Sequence, residues 1–131
     1  DLVEWQLRVA SGEKLPLKQD ELKINGWAME ARLYAEDPST GFLPSTGRRV
    51  AFFVANEDYG IRLESALEAT VPEGREITPY YDPMIAKLVA RGATRDEALA
   101  KLRFGCAQTE VWPVKTNAGF LVRCLDDPRF K

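Results

Sequence analysis

From Trp27 to Glu36 the apolar residues recur at every second position, with Trp27, Met29, Ala31, Leu33 and Ala35 on one side and Ala28, Glu30, Arg32, Tyr34 and Glu36 on the other. A period of two commits this stretch to a strand with one buried face and one charged face, so the chain must build a sheet around it. The residues before it obey a different period. Leu2, Val3, Leu7 and Ala10 fall at helical spacing, Asp1 and Glu4 place acid in the first turn, and Gly12 is set to end the helix before Leu15 and Pro16.

Beyond the strand, Asp37-Pro38-Ser39-Thr40-Gly41 and Pro44-Ser45-Thr46-Gly47 carry turn chemistry, and a short apolar run follows from Val50 to Val54. Asn56 to Gly60 interrupts again, Ile61 to Leu67 alternates, Pro72-Glu73-Gly74 reads as a tight turn, and Met84 to Arg91 is a further strand. Thr94-Arg95-Asp96-Glu97 has the form of a capping box, opening a helix with Leu99, Leu102 and Cys106 on one face. After Pro113, Thr116 or Asn117 can cap a last helix through Phe120, Leu121, Cys124 and Leu125, which Asp127-Pro128 ends. The predicted fold class is α+β, a mainly antiparallel sheet with helices near both ends.

Residues 1–131 hold no repeat, low-complexity tract or linker, which predicts one folding unit; opening directly into helical pattern, they read as part of a longer chain. Hydrophobic residues at 45% and charged residues at 29% are ordinary globular usage, and no apolar run approaches the roughly 18 residues that span a bilayer. The 18 basic and 20 acidic residues are interspersed, so neither nucleic acid nor an anionic membrane is an expected partner. With no histidine, Ser-His-Asp and Cys-His nucleophilic sites are excluded, and the two cysteines cannot make a conventional zinc site. Cys106 and Cys124 fall on apolar helix faces and read as buried free thiols, in keeping with a reducing compartment.

Any chemistry must then use Arg, Lys, Tyr or carboxylates. Arg32 shares its strand face with Glu30, and a guanidinium forks onto carboxylate or carbonyl oxygens; alternating charges on a strand equally form solvated cross-strand pairs. Pro79-Tyr80-Tyr81-Asp82-Pro83 is stiffened at both ends, so Asp82 can orient a cation or hydroxyl, or the tyrosines can simply sit at a half-buried edge. Arg62 and Glu64 read as a surface ion pair, and Lys87 as a snorkelling lysine.

Taken in order, DLVEWQLRVASGEKLPL, NGWAMEARLYAEDPSTGFLPSTGR, YGIRLES, PYYDPMIAKLVARGATRDEALAKL and KTNAGFL resemble the C-terminal region of biotin carboxylase. The resemblance covers nearly all of the chain, and AEDP followed by FLPSTG and then PYYDPMIAKL is its most specific part. It implies membership in an ATP-grasp ligase that uses ATP with Mg2+ or Mn2+ to activate bicarbonate and carboxylate biotin on a carrier domain. By resemblance Arg32 is the catalytic arginine that contacts bicarbonate and biotin and stabilises the biotin enolate. Glu30, Tyr81 and Asp82 would support it, and Tyr59 and Arg62 match a region of dimer contacts.

The family's nucleotide and metal ligands belong to motifs upstream, so no ATP or metal site is expected in these residues. Expected partners are the ATP-grasp part of the same chain, a biotin carboxyl carrier domain, a carboxyltransferase subunit that selects an acyl-CoA or other acceptor, and a second copy in a homodimer. Cytoplasm is the expected location, with the mitochondrial matrix as the alternative. Trp112-Pro113-Val114 departs from the glycine-containing turn of many relatives. The competing reading is a non-catalytic assembly module that packs on an ATP-grasp core.

Overall fold

The computed structural model describes residues 2–48, 51–53, 55–65, 76–80 and 82–131. Helix α1 spans Leu2–Ala10, and strand β1 spans Trp27–Tyr34. The short strands β2 (Glu36–Asp37), β3 (Leu43–Pro44), β4 (Gly47–Arg48) and β5 (Ala51–Phe53) follow. Next come β6 (Ile61–Ser65), β7 (Glu76–Ile77), β8 (Met84–Gly92), α2 (Arg95–Ala107), β9 (Glu110–Trp112) and α3 (Ala118–Asp126). The main sheet has the order β1-β8-β6 with both pairings antiparallel, and β2-β3, β4-β7 and β5-β9 form two-stranded ladders.

Register explains why one face is dry. Leu33 stands opposite Ala86 and Ser65 beyond it, Ala31 opposite Leu88 and Leu63, and Met29 opposite Ala90 and Ile61. These rows carry the core with Leu99, Leu102 and Cys106 of α2. The other face reads Arg32-Lys87-Glu64 and Glu30-Val89-Arg62. Ile85 and Ala86 are consecutive yet both buried, which strict alternation forbids. The pairing slips between Leu33 and Tyr34, where Tyr34 meets Met84, so β8 carries a bulge at Ile85.

Helix α2 starts as the sequence predicts. Thr94 Oγ1 accepts from the Glu97 amide at 3.2 Å, while the Glu97 carboxylate accepts from the Ala93 amide at 2.8 Å, one residue before the usual partner. Burial raises the Cys106 thiol to about 11, and both cysteines are free, Cys106 buried and Cys124 half-buried.

Two expectations change. The segment after α2, read only as an interruption at Pro113, contains β9, which pairs with β5; three residues bounded by a proline are too few to show a period. Of the two cap candidates for α3, Thr116 Oγ1 accepts from the Ala118 amide at 3.4 Å, while Asn117 stands at the N-cap position but makes no side-chain cap bond and reaches β1 instead. Val50, Val54, the end of the Ile61–Leu67 alternation, the turn at Pro72-Glu73-Gly74 and Tyr81 lie outside the described residues. No residue of α1 is buried, and Leu2, Val3, Leu7 and Val9 are exposed. No helix among the described residues is long and apolar enough to cross a membrane.

Gly92 is where the chain turns from β8 into α2 at van der Waals limits. A Cβ there would lie 2.6 Å from the Ala98 amide nitrogen and 2.9 Å from the Thr94 carbonyl oxygen, both backbone atoms that cannot swing aside. Gly92→Ala is expected to destabilise the domain by about 1–3 kcal/mol or more. The check is a fall in denaturant midpoint at unchanged m-value; an unchanged midpoint would contradict this packing.

Candidate functional site

Just before the bulge in β8, Pro83 lies alongside the end of β1, where its carbonyl accepts from the Ala35 amide at 2.9 Å. Asp82 thereby meets the polar face of β1. Its Oδ2 accepts from Arg32 Nη2 at 3.2 Å and from Tyr34 Oη at 3.2 Å, while its Oδ1 accepts from the Met84 amide at 3.2 Å. Arg32 Nε lies 3.3 Å from Met84 Sδ, and its guanidinium sits 5.0 Å from the centroid of the Tyr34 ring. The guanidinium is thus held by a charge, a thioether and an aromatic face, yet its side chain remains half exposed.

A half-exposed ion pair contributes only about 0–1 kcal/mol to stability. What the arrangement fixes is direction. Partial burial raises the Tyr34 phenol above its ordinary value; the Arg32 charge pulls it down, and the Asp82 carboxylate to which it donates pushes it up.

Arg32, Glu30, Tyr34 and Glu36 form one wall of an open cleft of about 500 Å³, and Phe42 and Phe120 stand on another. That volume lies within the range of small-molecule sites. Phe42 has a φ of 65°, unusual for a bulky side chain, and its ring meets Phe120 edge-on with centroids 4.9 Å apart. The turn that presents it is anchored at Asp37. That carboxylate accepts from Lys115 Nζ at 2.7 Å, Ser39 Oγ at 2.6 Å and the Ser39 amide at 3.0 Å, and is lowered to about 2 by the Lys115 and Ser39 hydrogen bonds.

Of the residues singled out from sequence, the structure joins Arg32 to Asp82 and leaves Glu30 without an ion pair among the described residues. Tyr81 lies outside the described residues. Arg62 pairs with Glu64 at 2.9 Å on the surface. Tyr59 is exposed and packs its ring against Phe53 and Phe104, with centroids 6.3 and 5.8 Å away. Sequence reasoning missed the site roles of Tyr34, Met84, Phe42 and Phe120. The alternation did place Tyr34 on the same face as Arg32, which was the available signal. Among the described residues no group of three His, Cys, Asp or Glu side chains could hold a metal ion.

Fold and cleft together define a domain that presents one fixed arginine at the rim of a cleft. The sequence profile of the Biotin carboxylase C-terminal domain matches residues 30–131, and the chain belongs to that family. It is 44% identical over 131 residues to the methylcrotonoyl-CoA carboxylase subunit alpha, mitochondrial, of Mus musculus, covering 100% of this chain and 18% of that protein. It is 45% identical over 131 residues to the biotin carboxylase of Halalkalibacterium halodurans, covering 100% of this chain and 28% of that protein.

Among solved structures, it superimposes with a TM-score of 0.84 and 38% identity on the biotin carboxylase domain dimer of Hydrogenobacter thermophilus 2-oxoglutarate carboxylase, in complex with MgADP, ADP and bicarbonate. That match covers 99% of this chain and 28% of the other. The chain therefore spans between 18% and 28% of the length of these relatives.

Because Asp82 raises the Tyr34 phenol and Arg32 lowers it, Asp82→Asn is expected to bring its titration down and Arg32→Met to send it further up. A folded value above the unfolded one means that the associated stabilisation belongs to the protonated phenol and is lost as pH rises through that range. NMR titration of labelled tyrosine, assigned with Tyr34→Phe, reads both shifts; a signal that neither variant moves would show that the three groups are not in contact.

Proposed function

We propose that this chain supplies one wall of the active site of a biotin carboxylase within a biotin-dependent carboxylase, with Arg32 acting on bicarbonate and biotin. The observation that carries the reading is the Arg32 guanidinium, half exposed at the cleft rim and fixed from behind by Asp82 and Tyr34. A permanently charged planar donor held in place costs little reorganisation when negative charge develops on the ureido oxygen of biotin or on bicarbonate. Lys87 stands directly opposite Arg32 across the β1–β8 pairing. Two cations in register are unfavourable by themselves, and an anion bound between them would relieve that.

In this reading ATP with Mg2+ or Mn2+ is held by an ATP-grasp part of the longer chain and supplies the energy that activates bicarbonate. Carrier-bound biotin enters the cleft, and a carboxyltransferase passes the carboxyl group to the final acceptor, methylcrotonoyl-CoA or another acyl-CoA. The residues described here would neither bind ATP tightly nor cleave it alone. The exposed Leu2, Val3, Leu7 and Val9 of α1 fit a face covered by the rest of that chain. The exposed rings of Phe53, Tyr59 and Phe104, with Arg62 nearby in sequence, fit a homodimer contact. Cytoplasm or mitochondrial matrix suits the two free thiols.

The same apolar faces favour the second reading, an assembly module without chemistry of its own. Arg32→Ala in the full-length enzyme separates the two. Loss of an oxyanion donor is expected to slow biotin carboxylation by about 10²- to 10³-fold, with little change in KM for ATP. Arg32→Lys should rescue only in part, since it keeps charge but loses the fork. Near wild-type turnover of biotin in both variants would leave the assembly reading standing.

A further inference from the structure

β1 lies at the edge of the main sheet, so the backbone groups on its outer side have no neighbouring strand. One residue serves them at the level of Arg32. Asn117 Nδ2 donates to the Arg32 carbonyl at 3.1 Å, its Oδ1 accepts from the Tyr34 amide at 2.9 Å, and its own backbone amide donates to the Tyr34 carbonyl at 3.1 Å. A side-chain amide here takes the place of a peptide group in a missing strand. Asn117 is 7% exposed and is the one buried polar side chain among the described residues. It makes these bonds instead of capping its own helix, although its carbonyl still accepts the first helical bond from Leu121 at 2.9 Å.

We propose that Asn117 is a positioning residue for Arg32: it fixes the backbone of β1 where the strand bears the guanidinium and where the bulge disturbs pairing on the inner side. This rests on the reading of Arg32 given above. The inner side of β1 at Tyr34 has lost regular register, so the outer side must hold both Arg32 and Tyr34, the residue over whose ring the guanidinium lies. Asn117 also follows Lys115 by two residues, and the Lys115–Asp37 bond anchors the turn that presents Phe42 to the same cleft. A shift of about 1 Å in a group that acts on developing charge can cost on the order of 10²-fold in rate.

The test uses the full-length enzyme with Asn117→Asp, which keeps shape and the acceptor for Tyr34 but turns a lone pair toward the Arg32 carbonyl. Biotin carboxylation should fall by about 10-fold to 10²-fold in kcat with KM for ATP unchanged. Added to Arg32→Ala, the same substitution should slow the reaction no further, since it acts through a side chain already gone. Arg103→Met removes the bidentate bonds from Arg103 to Asp126, at 2.7 and 2.8 Å, that join α2 to α3. It serves as the stability control and should lower the melting temperature without this kinetic signature.

Should Asn117→Asp not fold, Asn117→Ser carries the same comparison, its hydroxyl serving at most one of the two backbone groups well. If Arg32→Ala is crippled while the Asn117 variant turns over normally, or if the two effects multiply in the double variant, the positioning role is overturned. If Arg32→Ala itself carboxylates biotin normally, the functional reading fails first and this one with it.

Discussion

The antiparallel pairing of β1 with β8 is the constraint on which the rest of the molecule hangs. β8 is the central strand, and its alternate residues Ala86, Leu88 and Ala90 decide which side of every row is buried. A slip of β1 by one residue would turn Arg32 and Glu30 into the core and Leu33 and Ala31 out to water, so the register is enforced by the whole buried face. Helix α2 can lie close on that face because Gly105 brings its backbone down on Ile61 and Leu88, where a Cβ would sit 3.1 Å from Ile61 Cγ1. The dry side is therefore specified closely enough to leave the polar side free of any duty in folding.

That division of labour explains the character of the cleft. Its ion pairs are half exposed and contribute little to stability, while the bulge at Ile85 spends regular pairing to place Asp82 against Arg32. Phe42 accepts an unfavourable backbone conformation where its ring meets Phe120. Such departures collect at one end of β1 and are scarce elsewhere in the main sheet, as expected where a strand serves a site as well as a core.

The alternation from Trp27 to Glu36 revealed β1 and its buried face, because burial on one side writes a period of two directly into the residue types, and Met84 to Arg91 was legible as a strand though not in its faces. The helix after Thr94 was legible for a similar reason, its cap being chemical and local. β9 and the two-residue ladders were not, since elements that short carry no period, and neither was the bulge, which depends on how two strands meet. Arg32 emerged as a candidate from its face and from family resemblance. Asp82 entered beside Glu30 only through that resemblance, because spacing offers the carboxylate two positions away rather than the one fifty away, and only the fold decides between them.

Asn117 shows where local reading misleads most usefully. An asparagine opening a helix has a ready local explanation, an N-cap, and that explanation satisfies every rule of sequence. The edge of β1 offers a stronger claim: there the Arg32 carbonyl and Tyr34 amide face outward beside a buried side chain, and a buried backbone group left unpaired costs more than an uncapped helix end open to water. The amide goes where desolvation is greater. In doing so it couples the start of α3 to the strand that bears the guanidinium, so the helix that helps wall the cleft and the charge at its rim are fixed by the same three hydrogen bonds.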